Sequence, residues 1–89
     1  MRSPDETLRE LASLLRDFEG REYSGEITRE TLFFDDLGMT SIDAVILAEK
    51  LEAHFGRPFP FPDFVNRMRE RESFDIAVGD LADFLSENL

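Results

Sequence analysis

Cysteine is absent from the 89 residues. That excludes disulfides, thiolate metal sites and a cysteine nucleophile. No apolar run approaches the roughly 20 residues needed to span a bilayer, so membrane insertion is not expected. The start at Met1 shows no basic-then-apolar signal region, and with the missing cysteine this fits a cytoplasmic protein. Basic residues are scarce: ten Lys and Arg stand against twenty Asp and Glu, for a net charge of −10. Such a chain repels nucleic acid and favours basic partner surfaces. Histidine occurs once, as His54. What is present is 42% apolar residues, too many for disorder and enough for one small core. Residues 1–89 therefore read as a single domain, expected to be a monomer.

Spacing then divides the chain into helices. Ser3-Pro4-Asp5-Glu6 combines a cap serine, proline at the first helical position and a glutamate three residues after the cap. Leu8, Leu11, Leu14, Leu15 and Phe18 follow at helical intervals, and Gly20 stands where a helix stops, which predicts a first helix from Pro4 to about Glu19. Arg9, Glu10, Arg16 and Asp17 form its solvated side. From Arg21 to Met39 the period is lost, Ser24-Gly25 signals a turn, and Thr28 to Thr31 suits a short helical turn. A loop this long must be pinned or functional. Ile27, Leu32, Phe33, Phe34 and Leu37 are read as the pins rather than as ligand contacts.

A second helix is expected from Ser41 to Phe55, with Ala44, Leu47, Ala48, Leu51 and Phe55 on its core side. Ile42 and Ile46 fall on another side and Val45 lies between, so Ile42 and Ile46 are expected to be partly exposed and used for docking; the alternative packs both beneath the loop. Pro58, Pro60 and Pro62 forbid helix through Phe61. Pro62 then opens a short third helix that carries Phe64, Val65 and Met68 inward. Arg67, Arg69 and Arg71 form the only basic tract, read as a solvated helix end with a partner contact as alternative. The last helix runs from Val78 to about Asn88 and buries Leu81, Ala82, Phe84 and Leu85. The fold class is all-α: a four-helix bundle with a short third helix and a long loop between helices I and II.

One stretch carries candidate chemistry: Phe33 to Asp43, which contains Asp36-Leu37-Gly38-Met39-Thr40-Ser41-Ile42-Asp43. Thr40 and Asp43 have the form of an N-terminal capping box. If Thr40 is the cap, Ser41 is the first helical residue and has no capping duty. Its hydroxyl then points outward at the positive end of the helix dipole, where a phosphate ester is well tolerated. Pairing Ser41 with His54 as a catalytic dyad fails on length: thirteen residues along one helix span about 20 Å at ~1.5 Å per residue. Asp35-Asp36 lacks the alternating spacing of a calcium loop. No catalytic residue and no metal site are expected.

Asp36 to Asp43 resembles the attachment motif of acyl carrier proteins, usually Asp-Leu-Gly-x-Asp-Ser-Leu followed by an acid or small residue. Val78-Gly79-Asp80-Leu81-Ala82-Asp83-Phe84-Leu85 resembles that family's last helix, and Ile27, Thr31-Leu32 and Phe55-Gly56 match in order. The resemblance implies that Ser41 carries 4′-phosphopantetheine, transferred from coenzyme A by a phosphopantetheinyl transferase. It also implies a non-enzymatic carrier that holds acyl groups as thioesters and presents them to partner enzymes. Tethering raises the cargo's effective concentration without tight binding, and the absence of cysteine leaves no internal thiol to capture it.

Asp36, Met39, Thr40, Ile42, Asp43, Ile46 and Glu49 are the candidate recognition residues. Acids around Ser41, among them Asp35 and Glu52, steer toward basic partners. Two departures stand out. Thr40 replaces the family's usual aspartate, and Ile46 occupies an outer position that is commonly acidic in fatty-acid carriers. Both point to partners with basic and apolar docking surfaces, and to a specialised carrier from a polyketide-type secondary or dedicated acyl pathway rather than housekeeping fatty acid synthesis. The phenylalanine-rich interior favours short or exposed cargo. Two alternatives remain: a peptidyl or aminoacyl carrier, which usually has a second glycine where Met39 stands, and an unmodified acidic helical adaptor.

Overall fold

Capping at Ser3 starts the first helix: its hydroxyl oxygen accepts the amide of Glu6 at 3.2 Å, and Pro4 is the first helical residue. The structure is a computed structural model and describes residues 3–16, 26–71 and 75–89. Among the described residues four helices make up the all-α fold: α1 (Pro4–Arg16), α2 (Ser41–Phe55), α3 (Phe61–Glu70) and α4 (Val78–Glu87). No strand occurs among the described residues, only an isolated bridge between Leu32 and Ala77. None of the described helices is long and apolar enough to cross a membrane. The expected run of α1 to Glu19, with Asp17, Phe18 and the stop at Gly20, and the turn at Ser24-Gly25 lie outside the described residues.

α1 packs against α4 through Leu11, Ala12 and Leu15, with Leu8 and Leu14 half-buried at the edges. Thr7 shares that buried face. Its hydroxyl donates to the Ser3 carbonyl at 3.2 Å and accepts from the Ser86 hydroxyl at 2.8 Å, so the buried oxygen is satisfied. α2 has the bounds its caps specify. Gly56 ends it in the left-handed conformation at φ 69°, donating its amide to the Glu52 carbonyl.

α3 begins one residue earlier than expected. Pro62 sits in its first turn, where the missing N–H has no helical partner, so Phe61 opens the helix behind Pro60. Phe64 and Met68, one turn apart, are buried. Val65 is not carried inward: it lies about 100° round the helix from Phe64 and is 42% exposed. Phe59, Phe61, Phe64 and Phe84 form the aromatic part of the core, with Phe64 and Phe84 centroids 4.8 Å apart. Two residues of the basic tract, Arg67 and Arg71, face α4. Arg67 pairs with Glu87 and Arg71 with the half-buried Asp80, both at 3.5 Å and largely open to solvent, and the Arg67 guanidinium lies over the Phe84 ring. Exposed pairs of this kind are worth little each.

The loop before α2 is pinned chiefly by backbone. α4 has Ala77 at its N-cap and no side-chain cap. Its leading amides are taken by the loop: Val78 N–H donates to the Thr31 carbonyl at 2.8 Å and Gly79 N–H to the Arg29 carbonyl at 2.9 Å. The strap lies so close that a Cβ on Gly79 would come within 2.8 Å of Arg29 Cβ and 3.0 Å of its carbonyl oxygen. Arg29 also pairs with Asp83 at 2.6 Å, and that hydrogen bond raises the guanidinium pKa. Of the expected pins, Ile27 and Phe33 are buried, while Leu32, Phe34 and Leu37 are half-buried. Thr28 and Thr31 close a turn, the Thr31 amide donating to the Thr28 carbonyl at 3.2 Å.

Candidate functional site

Local hydrogen bonds shape the approach to Ser41. The Asp36 carboxylate accepts the Leu32 amide at 2.8 Å, and the Leu37 amide donates back to the Leu32 carbonyl at 3.0 Å. Gly38 turns the chain at φ 67°, a conformation that costs other residues strain. The Met39 amide then reaches the Phe33 carbonyl at 3.0 Å. Thr40 follows in extended geometry as the N-cap of α2. Its hydroxyl oxygen accepts the Asp43 amide at 3.3 Å, and the Asp43 carboxylate accepts the Thr40 amide at 3.0 Å. Both halves of the capping box are formed. Ser41 is therefore the first residue of α2, exposed, beside a neighbour that does the capping.

A residue with no signal in the sequence holds this approach from the other side. The Asp75 carboxylate accepts the amides of Phe34 at 3.0 Å, Asp35 at 2.9 Å and Ile76 at 2.7 Å. Burial alone would push this carboxyl's pKa up, but the three amides outweigh it and hold the group below its ordinary value. The Phe33 amide meets the Ile76 carbonyl at 2.9 Å alongside. Asp75 precedes α4, forty and forty-one positions from its loop partners. No local spacing rule reaches that far.

The outer face of α2 is apolar where the spacing places Ile42 and Ile46. Ile42 is 72% exposed and Val45 61% exposed, whereas Ile46 is half-buried and packs on the core. Glu49 is exposed and Asp43 half-buried. Met39, a candidate recognition residue, lies elsewhere: it is 7% exposed, because the turn at Gly38 feeds its side chain back into the core. Glu52 is also engaged locally, accepting the Phe59 amide at 2.9 Å. Asp36, Thr40, Ser41, Ile42 and Asp43 are thus gathered at the start of α2, with Ile46 and Glu49 one and two turns on. His54 is at the far end of the unbroken α2, its ring edge-on to Phe55, so Ser41 and His54 do not meet.

Ser41, Ala44, Val45 and Ala48 share one helical face. The last three line a cavity of about 210 Å³ between α2, α3 and the loop. Every residue lining it is apolar, among them Phe34 and Met39 from the loop, Phe61, Phe64 and Val65 from α3 and Ile76 ahead of α4. Ala44, Val45 and Val65 are exposed at its mouth. The site offers a reachable hydroxyl at the positive end of a helix, on the same face as an apolar recess. A phosphodiester on Ser41 with a flexible apolar extension fits this arrangement.

Comparison with known families matches residues 9–85 to the model described as the phosphopantetheine attachment site. No curated protein and no solved structure gives a significant match.

Proposed function

The chain belongs to the family of phosphopantetheine attachment domains, and we propose that it serves there as an acyl carrier protein with Ser41 as the attachment residue. The family's domains bind 4′-phosphopantetheine covalently and act as carriers with a phosphopantetheinyl transferase and partner enzymes, generally without catalysis of their own. One observation carries the choice of Ser41: it opens α2 exposed, while Thr40 and Asp43 supply both halves of the cap. Attached there, the arm supplies a terminal thiol that holds cargo as a thioester. The first turn of α2 stabilises the phosphate through its dipole. Ala44, Val45 and Ala48 offer an apolar path from Ser41 into the cavity.

The acyl reading, over the peptidyl one, is supported by Met39. Its buried side chain fills space in the core where peptidyl carriers usually have glycine. The cavity volume favours modest cargo. An apolar cavity of about 150 Å³ accepts a benzene-sized guest, so 210 Å³ suits a short acyl chain or the first carbons of a longer one. The partner face is read as Ile42, Val45 and Ile46 rimmed by Asp36, Asp43 and Glu49, without Met39. It suits enzymes with an apolar centre and basic edge, and hence a specialised pathway. Residues 1–89 are read as one monomeric, cytoplasmic carrier domain.

Intact mass after incubation with coenzyme A and a promiscuous transferase tests the assignment. The expected result is one added phosphopantetheine, absent in Ser41→Ala with the helical spectrum unchanged. A wild-type chain that gains no mass would instead favour the unmodified adaptor. Loading with acyl against aminoacyl groups separates the two kinds of carrier.

A further inference from the structure

We propose that Asp75 is a positioning residue for the carrier site, fixing the two chain segments that supply Phe34 and Ile76 to the cavity wall and so setting how well the cavity takes a tethered acyl chain. The inference rests on the carrier reading above. Its geometry is that of a clasp. One carboxylate oxygen accepts the amides of both Phe34 and Ile76, at 3.0 and 2.7 Å, and the other accepts Asp35 at 2.9 Å. Phe34 and Ile76 both line the cavity. They come from segments far apart in sequence, and the nearest backbone ties between those segments are Phe33 N–H to the Ile76 carbonyl and, two residues away, Val78 N–H to the Thr31 carbonyl, the pair that flanks the Leu32–Ala77 bridge. Hydrogen bonds to an ionised acceptor are stronger than neutral ones, so a carboxylate is well suited to hold two loops in register. The other anchors of the strap act further along. Arg29 with Asp83, and the Arg29 and Thr31 carbonyls with α4, hold the chain where it passes the helix start, and none of Arg29, Thr31 or Asp83 lines the cavity.

A purely structural clasp and one that shapes the cavity differ in what they do to cargo. Losing the first lowers stability whatever is loaded. Losing the second removes the extra stabilisation that a longer chain brings by entering the cavity. The test therefore compares thermal midpoints of acetyl-loaded and hexanoyl-loaded protein, each made from the acyl-coenzyme A by a promiscuous transferase. In the wild type the hexanoyl form is expected to melt about 4 °C above the acetyl form, a shift readily resolved for a domain of this size. In Asp75→Ala that gap is expected to fall below about 1 °C. Asp75→Asn, which retains one acceptor oxygen, gives an intermediate gap and serves if the alanine variant does not fold. Arg29→Ala, which loosens the strap away from the cavity, lowers both midpoints and preserves the gap. A full gap in the Asp75 variants overturns the proposal, as does a gap lost equally in Arg29→Ala. Wild-type protein that loads but shows no gap overturns it while leaving the carrier reading intact. Wild-type protein that takes no arm at all removes both.

Discussion

Two helices of this chain begin in opposite ways. At α2 the leading amides are met by side chains three residues apart, Thr40 and Asp43, and the helix start stays at the surface with Ser41 exposed. At α4 there is no side-chain cap. Carbonyls of Arg29 and Thr31, in the loop ahead of α2, take the amides of Gly79 and Val78, and the start is buried. Both solutions satisfy the same unpaired N–H groups, but they leave different things free. A self-contained cap leaves the positive end of α2 available to hold an attached phosphate. The borrowed cap makes α4's end a fastening point, and what it fastens is the loop leading to α2. The buried helix start therefore helps to place the exposed one.

The sharpest way to break this contrast is Gly79→Ala. The new methyl group would meet Arg29 backbone atoms at 3.0 to 3.1 Å, so the strap must lift and strain its bonds to Val78 and Gly79. Overpacking of this kind costs ~1–3 kcal/mol, against a helix-propensity gain near ~1 kcal/mol. Because the backbone atoms met cannot swing aside, the upper end of that cost applies and a net loss of about 2 kcal/mol is expected by denaturant unfolding. An unchanged midpoint would mean that the strap is not seated on α4. The clasp at Asp75 should break with acid. Its folded-state pKa lies below the ordinary 3.8, so its contribution is complete above that value and is lost as pH falls through the folded value. Wild type and Asp75→Asn should differ in thermal midpoint near neutral pH and converge in strong acid. A constant difference across that range would show that the charge is not what the clasp uses.

The same contrast explains which features were legible in the sequence. The bounds of α2 follow from Thr40, Asp43 and Gly56, and the start of α1 from Ser3 and Pro4, because each signal acts within four residues. The spacing of Leu81, Phe84 and Leu85 likewise identifies the buried face of α4. The hidden features depend on partners brought together by folding. Asp75 binds amides forty residues away, and Gly79 matters because Arg29 crosses it. Val65 stands at the rim because a ten-residue helix with an i, i+4 core pair at Phe64 and Met68 turns the next residue outward. Met39 reads as part of an exposed motif, yet the turn at Gly38 returns it to the core. The capping box beside an exposed Ser41 was legible as a local pattern; the cavity beside it was not, since its walls come from the loop and from three different helices.

At the α2 start a smaller effect is expected. Thr40→Ala removes the oxygen that accepts the Asp43 amide and leaves the Asp43 carboxylate with half of the box. Loss of an N-cap of this kind costs about 1 kcal/mol. Unfolding should register that loss with the α4 fastening intact, so Thr40→Ala should be milder than Gly79→Ala. If it proved the more damaging of the two, the start of α2 would be held by more than its own cap.

The smallest expected effect tests whether anchoring and capping are separate. Ser41 stands beside the cap, is exposed, and supplies neither oxygen of the box. Ser41→Ala should therefore change stability by no more than about 0.5 kcal/mol, as at an ordinary surface position, and alanine suits a first helical turn. Measured by the same unfolding experiment, it should fall clearly short of Thr40→Ala. A loss equal to that of Thr40→Ala would mean that the serine hydroxyl helps to hold the helix start. A fully modified chain would then have to give up part of its cap, because the oxygen that bears the phosphate would no longer be a simple hydroxyl. A negligible loss means that the residue can be esterified with α2 undisturbed, which a carrier that cycles through partner enzymes requires.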